Sequence, residues 1–237
     1  MVLAELTTRI FADGADLESI FQLVLDPRIA GFTTNPTLMR QAGLSEYSEF
    51  ARQLLAKVPE HPVSFEVLAD DTDEMARQAK FISGWGDNVF VKIPVTTTTG
   101  ESTAPIVRSL SESGVKVNVT AVFTLDQVET MVAALSEDVP AYVSVFAGRI
   151  ADAGVDPLPI MAGAVEILEG NSHAELIWAS PREVLNLIQA NSVGCHVITM
   201  THELLKKLDG LGKDLEQFSL ETVQMFHRDA LAAGLTL

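Results

Sequence analysis

The sequence predicts an α/β protein: a single (β/α)8 TIM barrel with one extra helix at its C-terminal end. Two observations carry that prediction. Eight short β-rich runs alternate with stretches of helical periodicity between Thr8 and Leu208. Regular strand–helix alternation implies a parallel sheet, and eight units suit a closed barrel. No GxGxxG or Walker-type loop interrupts the pattern, which speaks against an open nucleotide-binding sheet. A length of 237 residues is ordinary for one such barrel. Apart from a loop around Asp209–Asp214 that separates the last helix from the barrel, no linker, repeat or low-complexity run divides the chain, so residues 1–237 are read as one domain.

The first strand is residues 8–12, ending at Asp13-Gly14, and Asp16 caps a helix over 17–24. The second runs from Ala30 to Asn35, where Pro36 presets the first turn of a helix. Helical pieces follow near 38–41 and 46–57. Residues 62–68 form the third strand, before a helix over 73–82. The fourth, 88–95, enters from Gly86-Asp87 and closes on a proline. After a polar Thr96-Thr97-Thr98-Thr99 loop come a helix over 102–111, a fifth strand over 115–123 and a helix over 125–135. The sixth strand, 141–146, ends at Ala147-Gly148-Arg149 and precedes a helix over 158–168. The seventh is 175–180, with Pro181-Arg182-Glu183 opening its helix. The eighth is 195–200, with a helix over 202–208. A last helix, 219–233, lies beyond the barrel.

Two ionisable residues interrupt apolar strands. Lys92 has apolar neighbours on both sides. Burial disfavours an ammonium, and a neutral amine attacks a ketone to form a Schiff base. The alternative is that Lys92 snorkels to solvent or pairs with a carboxylate. Glu66 interrupts its own strand in the same way. Asp13, Asn35, Asn118, Thr120, Ser144 and Ser180 also fall in the carboxyl halves or ends of strands, which in a barrel is where catalytic groups converge. For Asp13 the competing role is a turn or cap. Arg149 and Arg182 follow the sixth and seventh strands. With Ser180 they suit a phosphate, since late loops and helix N-termini hold anions in such barrels. Otherwise they are surface arginines paired with Asp152 and Glu183.

The totals exclude several classes. Hydrophobic residues make up 47% and charged residues 20%, enough for a large core. The net charge of −16 argues against nucleic acid and anionic membranes as partners. No apolar run reaches the ~18 residues of a membrane span. The start lacks a basic segment of the secretory kind, and the single cysteine, Cys195, suits a reducing compartment. A cytoplasmic location is therefore expected. His61, His173, His196, His202 and His227 show no HxH or HExxH spacing, so no metal site is expected.

Taken together, six segments resemble the transaldolase family, in particular its short members, which include fructose-6-phosphate aldolases. They are Phe11-Ala12-Asp13, Gly31-Phe32-Thr33-Thr34-Asn35-Pro36, Val91-Lys92-Ile93-Pro94, Asn118-Val119-Thr120, Ser144-Val145-Phe146-Ala147-Gly148-Arg149 and Ala179-Ser180-Pro181-Arg182. The resemblance implies cofactor-free transfer of a dihydroxyacetone unit between sugar phosphates. Lys92 would form the Schiff base and Asp13 would take the C4 hydroxyl proton. Glu66 and Thr120 would hold a proton-relaying water. Thr33, Asn35, Asn118, Ser144 and Phe146 would line the substrate site, and Arg149, Ser180 and Arg182 would bind phosphate. Glu66 with Phe146 is the pairing of the transferases; the aldolases carry glutamine and tyrosine there. An aldolase of the same family is one alternative. A sugar-phosphate-binding protein without turnover is another, although Lys92, Asp13 and Glu66 are all present. Gly14-Ala15, where the family has a hydroxyl residue, and the Thr96–Thr99 run depart from the pattern near the expected mouth. The short members form rings, so a homo-oligomer is expected, a pentamer or decamer. In that case the last helix contacts a neighbour, unless it docks on its own barrel.

Overall fold

The computed structural model describes residues 5–43 and 46–234, so the one-domain span of 1–237 extends past them at both ends. Eight parallel strands close into a barrel in sequence order. They are β1 (Arg9–Asp13), β2 (Ile29–Thr33), β3 (Val63–Glu66), β4 (Val89–Pro94), β5 (Val117–Val122), β6 (Ala141–Val145), β7 (Ala174–Trp178) and β8 (Val197–Thr201). β1 pairs with β8 from Arg9–Val197 to Asp13–Thr201, which completes the closure. Among the described residues no helix is long and apolar enough to cross a membrane.

The connecting helices are α1 (Leu17–Leu23), α2 (Pro36–Gln41), α3 (Tyr47–Lys57), α4 (Thr72–Ser83), α5 (Ala104–Glu112), α6 (Leu125–Val132), α7 (Ala147–Asp152), α8 (Leu158–Leu168), α9 (Leu185–Ser192) and α10 (His202–Lys207). Their starts follow capping chemistry. Asp16 accepts from Ser19 N–H, and Asn35 accepts from Leu38 N–H with Pro36 in the first turn. Thr124 and Gln127 complete a capping box on α6. Between helices and strands lies the main core, with Phe32, Phe65, Met75, Ile93, Leu110, Met161, Leu176 and Trp178 fully buried.

A second, smaller cluster plugs the barrel interior: Phe11, Phe90, Tyr142, Ile177 and Val197. Phe11 and Phe90 pack their rings on Tyr142 at 5.6 and 4.4 Å. Gly31 makes room for this plug, because a Cβ there would lie 2.7 Å from the Phe11 ring. Side chains alternate along a strand, so residues two positions further on also face inward. Those residues are Asp13, Thr33, Lys92, Ser144, Ala179 and Thr199. The plug is therefore the floor of the site.

Three elements differ from expectation. Ala147-Gly148-Arg149 does not end a strand but begins α7, whose start no capping side chain marks and whose small first residues continue the apolar run of β6. α9 starts at Leu185 rather than at Pro181. The side chain of Asn186 accepts from the N–H groups of Arg182 and Glu183 at 2.7 and 3.1 Å, and this holds them in a turn ahead of the helix. The last helix, α11 (Leu215–Ala232), begins four residues earlier than the apolar pattern suggests, because Asp214 caps it. It buries none of its residues, so it does not dock on its own barrel.

Candidate active site

Glu66 and Lys92 are register partners across β3 and β4. Lys92 Nζ lies 2.5 Å from Glu66 Oε1 and donates to the Thr34 carbonyl at 2.5 Å. Of the two alternatives to a bare amine, pairing with a carboxylate is the arrangement present. Burial raises the Glu66 pKa, opposed chiefly by the lysine charge and by the hydrogen bond from Lys92. A carboxylate held up in this way is a ready acceptor for the ammonium proton, and transfer within the pair leaves a neutral amine.

The position of Glu66 has a local cause. Pro36 turns the chain out of β2, so β2 pairs β3 only at Phe32–Val63 and Thr33–Ser64. The backbone of Glu66 then needs partners from elsewhere. Tyr47 of α3 supplies both, accepting from Glu66 N–H at 2.7 Å and donating to its carbonyl at 3.2 Å. The Thr34 hydroxyl lies 3.1 Å from Glu66 Oε2.

Asp13 ends β1 and faces the same space. It caps no helix, since Asp16 does that for α1. Thr33 Oγ1 donates to its Oδ1 at 2.8 Å, and Asn35 Nδ2 donates to its Oδ2 at 3.1 Å. Burial raises its pKa, against the charge of Lys92 and these two hydrogen bonds. Thr120 approaches the Ile93 carbonyl at 3.5 Å. Directly after it, Ala121 takes a left-handed φ of 57°, where the β5–β6 register shifts. Ser144 donates to Asn118 Oδ1 at 2.7 Å, and Asn118 donates to Ser64 Oγ at 3.0 Å.

One cavity of about 470 Å3 at the carboxyl ends of the strands is lined by all the predicted site residues except Asn118. Asn118 is fully buried beneath it and supports Ser144. Gly14 and Ala15 line an adjoining, largely apolar depression of about 490 Å3 that shares Asp13, Leu38, Gln41 and Thr201 with the cavity. The Thr96–Thr99 run lines neither. Asp70 accepts from both the N–H and the hydroxyl of Thr98 and ties the loop down. Among the described residues no three His, Cys, Asp or Glu side chains gather to hold a metal. Thr199 and Thr201 also line the cavity and were not foreseen, although their two-residue spacing is the signal that marked Asn118 and Thr120.

Residues 10–236 match the family model for transaldolase/fructose-6-phosphate aldolase. The chain belongs to the transaldolase/fructose-6-phosphate aldolase family. It is 37% identical over 201 residues to a "Probable transaldolase" of Dehalococcoides mccartyi, covering 84% of this chain and 89% of that one. It is 32% identical over 222 residues to "Probable transaldolase 2" of Listeria monocytogenes, covering 89% and 97%. Among solved structures, KGPDC from Streptococcus mutans superposes with a TM-score of 0.58 at 12% identity, over 83% of this chain and 89% of that one. At that identity the likeness concerns the fold alone.

In this family member the far wall of the cavity is built by α7 and the loop before α9. Arg149 lies over the Phe146 ring at 5.4 Å. Arg182 is ion-paired with Asp152, its Nε donating to Oδ1 at 2.9 Å. Of the two surface pairings considered from sequence, the one to Asp152 forms. Ser180 adopts a left-handed φ of 57°, a strained conformation for a residue with a side chain. Gly148 lets α7 approach that peptide, because a Cβ on it would lie 1.6 Å from the Ser180 carbonyl oxygen. The obstacle is backbone, so it cannot rotate away. Gly148→Ala is expected to lower the melting temperature by ~5–10 °C, as overpacking against a fixed peptide does. An unchanged thermal unfolding curve would show that the Ser180 loop yields freely.

Proposed function

We propose that the protein is a transaldolase that moves a dihydroxyacetone unit between sugar phosphates through a Schiff base on Lys92. The observation that carries this is the direct Lys92–Glu66 contact in a cavity that also holds Asp13. Glu66 accepts the lysine proton, and Nζ attacks the ketose C2 carbonyl. Loss of water from the adduct gives the iminium, which is an electron sink. Asp13 takes the proton from the C4 hydroxyl. The C3–C4 bond breaks, the aldose leaves as an aldehyde, and the electron pair of the bond remains on the lysine-bound three-carbon enamine. Attack of that enamine on an acceptor aldehyde reverses the steps, and water releases the new ketose. Thr33, Asn35 and Ser144 face the three-carbon unit, with Asn118 behind Ser144. Thr120 faces the proton-transfer region beside Lys92. Arg149, Ser180 and Arg182 meet the phosphate, which displaces Asp152 from part of the Arg182 guanidinium. No cofactor enters these steps.

Transfer rather than release is supported by Phe146, which carries no hydroxyl to protonate the enamine and so leaves it waiting for an acceptor. Fructose 6-phosphate alone is expected to give no more than one equivalent of glyceraldehyde 3-phosphate per site, with sustained turnover once an acceptor aldose phosphate is added. Many turnovers without acceptor would make the protein an aldolase instead. The cytoplasm is the compartment that suits the buried, unpaired Cys195.

The same reading makes the protein a homo-oligomer, with a ring of five or ten as in short family members. Its support is α11, where Phe218, Leu220, Val223 and Phe226 are each half or more exposed. That many large apolar side chains left exposed on one helix call for cover. Light scattering is expected to give a multiple of 25.6 kDa, and a single species at that mass would end the assembly reading.

A further inference from the structure

We propose that Thr199 is a positioning residue whose hydroxyl acts through Thr33 to hold the Asp13 carboxylate ionised and aimed into the cavity. The inference rests on the reading of Asp13 as the group that removes the C4 hydroxyl proton. It starts from the order of the strands. β1 lies between β2 and β8, with Thr33 opposite Asp13 and Thr199 opposite Phe11. The two threonines therefore reach inward from either side of β1 and meet in front of it, with 2.5 Å between their hydroxyl oxygens. Both are buried, at 3% and 8% exposure.

Counting protons sets the direction of the chain. An ionised carboxylate only accepts, so the single hydroxyl proton of Thr33 goes to Asp13 Oδ1, 2.8 Å away. Thr33 is then the acceptor in its contact with Thr199, and Thr199 is the donor. A hydroxyl that receives a hydrogen bond donates a stronger one, most of all to a charged acceptor. The other carboxylate oxygen is fixed by Asn35, whose own carbonyl is held by the first turn of α2. One oxygen is thus anchored by a helix cap and the other by a relay across the barrel. A purely structural Thr199 would fill space between strands, a task that valine performs as well.

Other charges bear on Asp13. Lys92 of β4 and Glu66 of β3 share its cavity, with Arg149 and Arg182 on the far wall. Asp16, His202 and Glu203 line the adjoining depression. All of these remain in a Thr199 variant, so a change in Asp13 titration isolates the hydroxyl.

The test follows Asp13 by carboxyl carbon NMR, assigned with Asp13→Asn, in the wild type, Thr199→Val and Thr199→Ser. The acid limb of kcat/KM and borohydride trapping on Lys92 are measured beside it. Thr199→Val is expected to raise the Asp13 midpoint by about one unit, the size of effect one hydrogen bond to a carboxylate exerts. It should cut kcat/KM about tenfold on the acid limb while leaving trapping intact. Thr199→Ser should restore both. If the added methyl at the 2.5 Å contact prevents folding, Thr199→Ala removes the hydroxyl without it and is read the same way. A wild-type Asp13 midpoint in the valine or alanine variant overturns the relay, as does an equal shift in the serine variant. If the wild type takes no adduct on Lys92, the transaldolase reading fails, and the Asp13 midpoints alone still decide the relay.

Discussion

Lys92→Met is expected to abolish the borohydride-trapped adduct with fructose 6-phosphate and to lower transfer by ~10⁴-fold or more, as loss of a covalent nucleophile does. Intact mass after reduction reads the first effect, and coupled assay of the released aldose phosphate reads the second. A full-sized adduct on the variant would place the Schiff base on another lysine. The same substitution removes one half of a buried ion pair, whose side chains are 11% and 10% exposed. The lysine charge and hydrogen bond are the chief opposition to the rise of the Glu66 pKa, so without them it climbs further above its ordinary 4.5. A carboxyl whose folded pKa is raised favours the fold while it is protonated. The variant therefore keeps its stability below about pH 4.5 and loses it as the pH climbs toward the raised value. Relative to wild type it should be weaker by ~3 kcal/mol at pH 8, the cost of stranding a buried charge. Adding Glu66→Gln should recover most of that loss. Thermal melts across pH check the sign: a deficit that grows on acidification would mean that Glu66 is not the stranded group.

Asp13→Asn should separate the two halves of the chemistry. On the proposed mechanism Schiff-base formation uses Lys92 and Glu66 and should survive. Cleavage needs a base at C4 and should fall by ~10²–10⁴-fold. Reduction of the variant with fructose 6-phosphate should therefore trap the whole six-carbon phosphate, where the wild type also yields the three-carbon unit. The amide is nearly isosteric but imperfect. Its oxygen accepts from Thr33, while its NH2 faces the Asn35 NH2, which cannot turn round without giving up the Leu38 cap. For the wild type, burial lifts the Asp13 pKa above its ordinary 3.8. The base form then appears only as the pH rises through that higher value, so the acid limb of kcat/KM lies above the usual aspartate range. Predominance of the three-carbon adduct in the variant, with transfer near wild type, would take the C4 proton away from Asp13.

The strand–helix alternation was legible because each unit is short and bounded by its own turn chemistry. Lys92 and Glu66 stood out because charged residues inside apolar strands have few benign explanations. Asp13, Asn35 and Ser144 were legible as a set, through their common place at strand ends. α7 was not legible, since no capping side chain marks its start and Ala147-Gly148 reads as a continuation of the apolar strand before it. The true start of α9 was hidden because Asn186, five residues after Pro181, holds the intervening turn.

By itself the sequence determined the barrel, the end of it where the cavity opens, and the residue types gathered there. These follow from local rules: a period of two in strands, caps at helix starts, and polar residues where strands end. Only the tertiary structure decided who touches whom. It set the Lys92–Glu66 pair in register across β3 and β4, and it brought Tyr47 to the edge that β2 leaves open. It placed Asn118 under the cavity instead of in its wall, and tied Arg182 to Asp152. It joined Thr199 to Thr33 across β1. The physical reason is closure. Bending eight strands into a ring makes neighbours of residues far apart in the chain, at distances set by strand register, which no local pattern encodes.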